Sequence, residues 1–279
     1  MTLRVKRLSL LTGFLLAGLL CAAFASSAYL VLRTGPGIHS AQFRTMVGHP
    51  WWFVYTSAAD EQSLYWCLGG ILALNLCILI LGPVVNRAHQ RTGSAELFFF
   101  AISLYSLCFE SFRATVGLTV VLNTPSYVGI AFSRAVYFGR LCSLLTLLLS
   151  SLYSMNMDYS RFGMLLGISV LVSLSLSLSV PVDSTAFLSN LLYKLGEERA
   201  LWFVTLVLSL LAVLNLCGAA LAKKSTHLLY AAVALLVHQT GREMLFFSIN
   251  LYTSVVGVAL LCLGTILFYK QLEAHYLWI

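Results

Sequence analysis

The chain has 279 residues, of which 59% are apolar and 10% carry a charge, and its mean hydropathy is +0.89. A soluble domain has roughly a quarter charged residues, so this composition does not cover a water-facing surface. The net charge of +7 does not indicate a nucleic-acid partner, because the basic residues stand at the ends of apolar runs and not in one patch. The composition therefore predicts an integral membrane protein embedded in a lipid bilayer.

Eight apolar runs, each long enough to cross a bilayer, predict an all-α, polytopic transmembrane helix bundle. The predicted helices are Leu8–Leu32, Ser63–Val85, Ala95–Leu122, Tyr127–Met155, Phe162–Val182, Ala200–Ala222, Thr226–Phe247 and Asn250–Tyr269. Three regions follow from this pattern: an amino-terminal signal anchor or signal peptide at 1–32, an external loop with an aromatic belt at 33–62, and a seven-helix transmembrane domain at 63–279.

The first run has two interpretations. Arg4–Arg7 is a charged segment, Leu8–Leu20 is apolar, and Ala23–Ala25 has the small residues of a cleavage signal, as in a signal peptide. Cleavage would leave seven helices. The apolar stretch continues to Leu32, however, which favours an uncleaved signal anchor and an eight-helix protein.

The distribution of Lys and Arg predicts the orientation of the helices. With the amino terminus inside, every inner segment is basic, and the inner basic residues are Arg4, Lys6, Arg7, Arg87, Arg91, Arg161, Lys223, Lys224 and Lys270. The outer segments mix both signs of charge. We therefore expect the chain to lie in the cytoplasmic (inner) membrane with its carboxyl terminus inside.

A weak internal similarity predicts a three-one-three parallel repeat, an arrangement found among transporters. Both halves contain a Leu-Asn-Leu-Cys tetrapeptide, and the following helix in each half has an acidic or amide residue three places before an arginine. The matching residues are Asn75 and Asn215, then Glu110/Arg113 and Gln239/Arg242. We expect Asn75 and Asn215 to hydrogen-bond across helix pairs.

The candidate site consists of polar side chains inside the predicted helices, where lipid normally excludes them. A charged side chain near the bilayer centre costs about 2.5–3.5 kcal/mol on insertion scales, so such groups face the bundle interior or a wet cavity. Helical rise places most of this set in the outer half of the membrane. The predicted ligand-binding residues are Glu110, Arg113, Arg134, Tyr137, Arg140, His238, Arg242 and Glu243.

Charge balance connects this layer to a ligand class. The layer has four arginines and two glutamates, so its cations outnumber its anions, whereas a network with only a structural role should balance. Guanidinium groups bind carboxylates and phosphates in a bidentate way, which predicts a small anionic ligand. In the alternative interpretation, Arg134 reaches the headgroups while Arg113 and Arg242 pair with the two glutamates, and the layer only holds the helices together.

The sequence contains no phosphate-binding loop, metalloprotease motif or serine-hydrolase motif, so we do not expect an enzyme. No cofactor or metal is expected either, because the seven cysteines lie in or beside apolar runs without metal-ligand spacing. Two functions remain: transport or binding of a small anionic solute, or a sensor or accessory subunit that signals through a separate cytoplasmic or membrane partner.

The predicted orientation is testable with reporters. A cytoplasmic reporter fused after Lys224 or Ile279 should be active, whereas one fused near Gly48 should report an external position, because the basic segments stay inside. Paired alkaline phosphatase and fluorescent protein fusions at the three sites measure this directly. An external carboxyl terminus would contradict the predicted topology.

Overall fold

The computed structural model describes residues 3–33, 50–51, 54–55, 61–155, 162–188, 190–196, 198–248 and 250–277. Within these residues the chain forms eight helices: α1 Leu3–Arg33, α2 Glu61–Thr92, α3 Ala95–Val121, α4 Ser126–Tyr153, α5 Phe162–Ser179, α6 Glu198–Lys223, α7 Thr226–Phe246 and α8 Leu251–Leu277. Four short strands complete it: β1 Pro50–Trp51, β2 Val54–Tyr55, β3 Val182–Phe187 and β4 Tyr193–Leu195. Most of the predicted external loop at 33–62 lies outside the described residues.

This architecture confirms the prediction of an all-α, polytopic helix bundle. Seven of the eight described helices are long and apolar enough to span a membrane. The remaining one, α7, has 21 residues and is therefore about 31 Å long, enough to cross a hydrocarbon core of about 30 Å. It includes two histidines, a glutamine and the Arg242–Glu243 pair, so it is less apolar than a typical membrane-spanning segment.

Four helix termini differ from the prediction by three or more residues. Helix α1 begins at Leu3 and not at Leu8. Helix α2 continues past Val85 to Thr92, and α8 continues past Tyr269 to Leu277, because polar residues extend a helix once its apolar part has left the membrane. Helix α5 ends at Ser179, before the predicted Val182. Pro181 lacks an N–H and disfavours helix in the residue before it, so the chain becomes extended there and enters β3.

Helices α3 and α4 form the centre of the bundle. Helix α3 packs against α1, α2 and α4, and α4 also contacts α5 and α6. Helix α7 packs mainly on α8 and also contacts α6 and α2. The membrane segment of α3 is mostly buried, whereas about a fifth of the membrane segment is buried in each of α1, α5 and α6. These three helices therefore supply much of the lipid-facing surface.

Glycines set the closest helix contacts. A Cβ atom at Gly241 on α7 would lie 2.8 Å from the Gly257 carbonyl oxygen on α8, and one at Gly264 would lie 2.6 Å from His238 Cα. Lipid tails are as apolar as leucine, so transmembrane helices associate through close van der Waals packing that small residues allow. The α7–α8 contact thus depends on the absence of these side chains.

Strands β3 and β4 form an antiparallel hairpin between α5 and α6. Val182 pairs with Leu195 and Phe187 with Tyr193, with an irregular register between Asp183 and Phe187. The Thr185 N–H and hydroxyl donate to Asp183 Oδ1 at 2.9 and 2.6 Å and hold the pKa of that carboxyl below its usual value. We refer to the bundle end with this hairpin and the α3–α4 loop as the hairpin end.

Substituting Gly241 by alanine should destabilise the protein by about 1–3 kcal/mol, because the added methyl group meets the α8 backbone and forces α7 and α8 apart. Gly167→Ala on α5 is the matched control, since no atom lies within 4 Å of its new Cβ. Denaturant unfolding in detergent micelles measures both variants. Equal stability of the two would contradict the close packing of α7 on α8.

Candidate functional site: a buried ion-pair network

Five charged side chains form one continuous chain of ion pairs in the order Arg113, Glu110, Arg140, Glu243 and Arg242. The N–O distances along it are 3.2 Å, 3.0 Å, 2.7 Å and 2.6 Å. The residues come from α3, from α4, which follows it in sequence, and from the more distant α7. We call these five residues the ion network.

Arg140 is the central member of the ion network. Its Nη1 donates to Glu110 Oε1, and its Nη2 lies 2.7 Å from both carboxylate oxygens of Glu243. The other two ion pairs are each formed within one helix, Glu110 with Arg113 on α3 and Arg242 with Glu243 on α7. Among the described residues, Arg140 therefore supplies the ion pairs that join the three helices.

Local backbone geometry brings α3 and α4 close enough for this contact. Helix α3 tightens into a 3₁₀ segment over Leu107–Ser111, which contains Glu110. A Cβ at Gly139, the residue before Arg140, would lie 2.6 Å from the Ser106 carbonyl oxygen. Glycine at this position lets the α4 backbone reach α3 where the 3₁₀ segment begins. A 3₁₀ segment inside a helix is often a hinge.

Arg113 is completely buried, and its guanidinium group donates hydrogen bonds to acceptors on four elements of the fold. Its Nη1 pairs with Glu110, and its Nη2 donates to Cys67 Sγ on α2 at 3.1 Å and to the Phe246 carbonyl oxygen on α7 at 3.0 Å. Its Nε donates to the Asn190 carbonyl oxygen, beyond β3, at 2.8 Å. These contacts pin α2, α3, α7 and the hairpin together.

The Phe246 ring covers the network on one side. The guanidinium carbon of Arg140 lies 3.6 Å from the ring centroid, and that of Arg113 lies 4.9 Å from it. The face of an aromatic ring is electron-rich, so this cation–π contact stabilises two cations without neutralising either.

The ion network has an excess of positive charge, with three arginines against two glutamates. Three residues connected to this region have buried polar side-chain atoms without a hydrogen-bond partner among the described residues. They are Asn190 and Gln239, with both side-chain polar atoms, and Asn75, with its amide nitrogen. Asn190 contacts Arg113 through its backbone, and Gln239 lies one helical turn before Glu243. The region therefore holds a net cation and spare hydrogen-bond donors.

The structure brings together five of the eight predicted site residues. Tyr137 lies nearby, with its ring centroid 6.5 Å from that of Phe246. His238 faces α8, where its Nδ1 lies 3.1 Å from Thr265 Oγ1. Arg134 is partly exposed and makes no ion pair with the described residues, although its Nε atom is buried. The geometry does not join Arg134 or His238 to the ion network, and a ligand-binding role for the set stays a prediction.

The two asparagines of the sequence repeat both bond across helices, to different neighbours. Ser111 on α3 donates to Asn75 Oδ1 at 3.0 Å, whereas Asn215 Nδ2 donates to Ser151 Oγ on α4 at 3.3 Å. A parallel repeat would place the Asn215 partner on α7, the counterpart of α3. These contacts do not follow the repeat, which stays a prediction.

Sequence reasoning missed three partners of the network: Cys67, Asn190 and Phe246. Phe246 could have been found, because it lies one turn beyond Arg242 on the same helix face. Cys67 and the Asn190 carbonyl carry no such signal, since a lone cysteine and a loop carbonyl are ordinary features of any membrane protein.

No protein-family model matches this chain, and no curated protein matches it in sequence. Functional conclusions therefore depend on the geometry and charge of the ion network.

The charge balance predicts that substitutions at two neighbouring residues, Glu243 and Arg242, cost different amounts of stability. Glu243→Gln should destabilise the protein by about 3–5 kcal/mol, because it removes the ion-pair partner of Arg242 and leaves three buried arginines with one carboxylate, Glu110. Arg242→Gln should cost clearly less, since Glu243 keeps both bonds to Arg140 and the network becomes neutral. Denaturant unfolding of both variants in one detergent tests this. A larger loss for Arg242→Gln would contradict the charge excess.

Proposed function

We propose that this multi-pass membrane protein binds a small anion, a carboxylate or phosphate compound, at the ion network and carries it across the membrane. The observation that supports the proposal is the excess of one buried arginine over the carboxylates that pair with it. An uncompensated cation inside a bundle is costly, and a bound anion removes that cost.

The alternating order of the charges supports an anion as the missing component. Because the chain begins and ends with an arginine, Arg113 and Arg242 each have a carboxylate on one side only. Arg113 fills its other donors with carbonyl oxygens and a thiol, which are weaker acceptors than an anion. An anionic oxygen would therefore compete effectively for either terminal guanidinium group.

The buried amides support the same ligand class. Asn190 and Gln239 have N–H groups without partners among the described residues, and a buried donor without an acceptor costs about 1–3 kcal/mol. A carboxylate or phosphate has several acceptor oxygens and can satisfy a guanidinium and an amide together. A neutral apolar ligand would leave these donors unpaired.

The 3₁₀ segment of α3 supports transport rather than binding alone. It lies at mid-helix and holds Glu110, which connects Arg113 to Arg140. A change between 3₁₀ and α-helical geometry would alter the position of Glu110 relative to α4, and so link anion binding to helix movement. In a sensor or accessory subunit the same movement would be read by a partner protein, and no solute would cross.

The test uses purified protein in liposomes with two radiolabelled probes, inorganic phosphate and succinate. Wild type should bind at least one of them, and Arg242→Gln should weaken that binding tenfold or more, about 1.4 kcal/mol, because the variant network has no spare cation. Arg91→Gln is the matched control: its side chain is 73% exposed, and its nearest carboxylate is Glu273 at 3.6 Å, outside the ion network.

Uptake into the liposomes separates the two functions. Time-dependent accumulation of the bound probe establishes transport, whereas binding without accumulation establishes the sensor or accessory subunit. Absence of binding to either probe, or equal binding by wild type and Arg242→Gln with both variants folded, contradicts the anion site.

A further inference from the structure

A cavity of about 220 Å³ opens at the hairpin end of the bundle. One wall is the end of α3 and the loop to α4, and the other is the β3–β4 hairpin. Most of its lining side chains are hydroxyls or amides, including Thr119, Asn123, Ser126 and Ser184, and the rings of Phe187 and Tyr193 also line it. The described lining residues include these donors and no carboxylate, which suits a small polar or anionic solute.

The hairpin continues from this cavity to the ion network. Along α3, Thr119 lines the cavity, Gly117 lies next to Leu191, and Arg113 bonds Asn190, so the hairpin runs inward beside the helix. Thr119 and Arg113 are six residues apart, a rise of about 9 Å. We call Leu188 and residues 190–192 the hairpin tip. It separates the cavity from Arg113.

The hairpin tip is buried to an extent that is unusual for a connection between two transmembrane helices. Leu188, Leu191 and Leu192 have at most 1% of their surface exposed, and Asn190 has none. Two features nevertheless make this position costly. Leu191 has a φ of 63°, which a branched residue rarely adopts, and the Asn190 amide is buried without a partner among the described residues.

We propose that the β3–β4 hairpin is the gate between the cavity and the ion network. This inference rests on the proposed anion site. In the closed position, the Asn190 carbonyl oxygen accepts the hydrogen bond from Arg113 Nε. Withdrawal of the hairpin tip breaks this hydrogen bond, and an anion bound in the cavity then accepts a hydrogen bond from Nε in place of the carbonyl. Strain at Leu191 and the unpaired Asn190 amide are both relieved when the tip leaves, which keeps the open position accessible.

Thiol labelling tests whether the hairpin tip opens. Asn190→Cys should be tolerated, because the amide it removes makes no hydrogen bond with the described residues. In sealed membranes, this cysteine should react with a membrane-impermeant thiol reagent at least tenfold faster than the wild-type background. Leu235→Cys, equally buried but inside α7, is the matched control and should stay unlabelled. Labelling of Asn190→Cys only after denaturation would overturn the gate.

A reversible cross-link tests whether opening admits the anion. A Cβ at Gly117 would lie 3.5 Å from Leu191 Cδ2, so the double variant Gly117→Cys, Leu191→Cys should accept a short, reducible thiol cross-linker. Cross-linking should slow phosphate or succinate binding at least tenfold, and reduction should restore it, with each single variant treated identically as control.

If the cross-linked protein binds the probe at the uncross-linked rate, the gate is wrong and the anion site stands. If wild type binds no probe while Asn190→Cys is labelled, the anion site is wrong and the movement of the hairpin stands.

Discussion

The guanidinium group of Arg140 between Glu110 and Glu243 is the interaction on which the rest of the bundle centre depends. Lipid offers no water to solvate a charge, so each carboxylate needs a cation within hydrogen-bonding distance. Arg113 and Arg242 satisfy that need within their own helices. Arg140 satisfies it between helices, and it thereby fixes the depth and rotation of α3, α4 and α7 relative to one another.

Close backbone contacts make this arrangement possible. Gly139 lets α4 approach the 3₁₀ segment of α3, while Gly241 and Gly264 let α7 lie directly on α8. With larger residues at these positions the helices would stand farther apart, and arginine and glutamate side chains would not span the gap. The glycines and the charged residues thus depend on each other. Close packing at the glycines brings the charged side chains within hydrogen-bonding distance, and the ion pairs hold the helices in that packing.

The ion network alternates in sign, ends with an arginine on both sides and connects three helices. The structural interpretation of the sequence, in which Arg113 and Arg242 pair with the glutamates, agrees with the observed contacts. The ligand interpretation stays a prediction. The contacts add to it only that Arg140 bridges the two pairs, so that the network has one more arginine than it has carboxylates.

The sequence by itself determined the class of protein, the eight helices and the five charged residues of the ion network as groups inside the bundle. A transmembrane helix satisfies its own backbone hydrogen bonds, so length and hydropathy along the chain are enough to locate it, and spacing is enough to pair Glu110 with Arg113. Only the tertiary structure decided that Arg140 bridges two helices, that His238 faces α8, and that Asn190 and Cys67 contact Arg113. The rotation of each helix is set by close packing against its neighbours, and hydropathy does not encode it because lipid and bundle interior are both apolar.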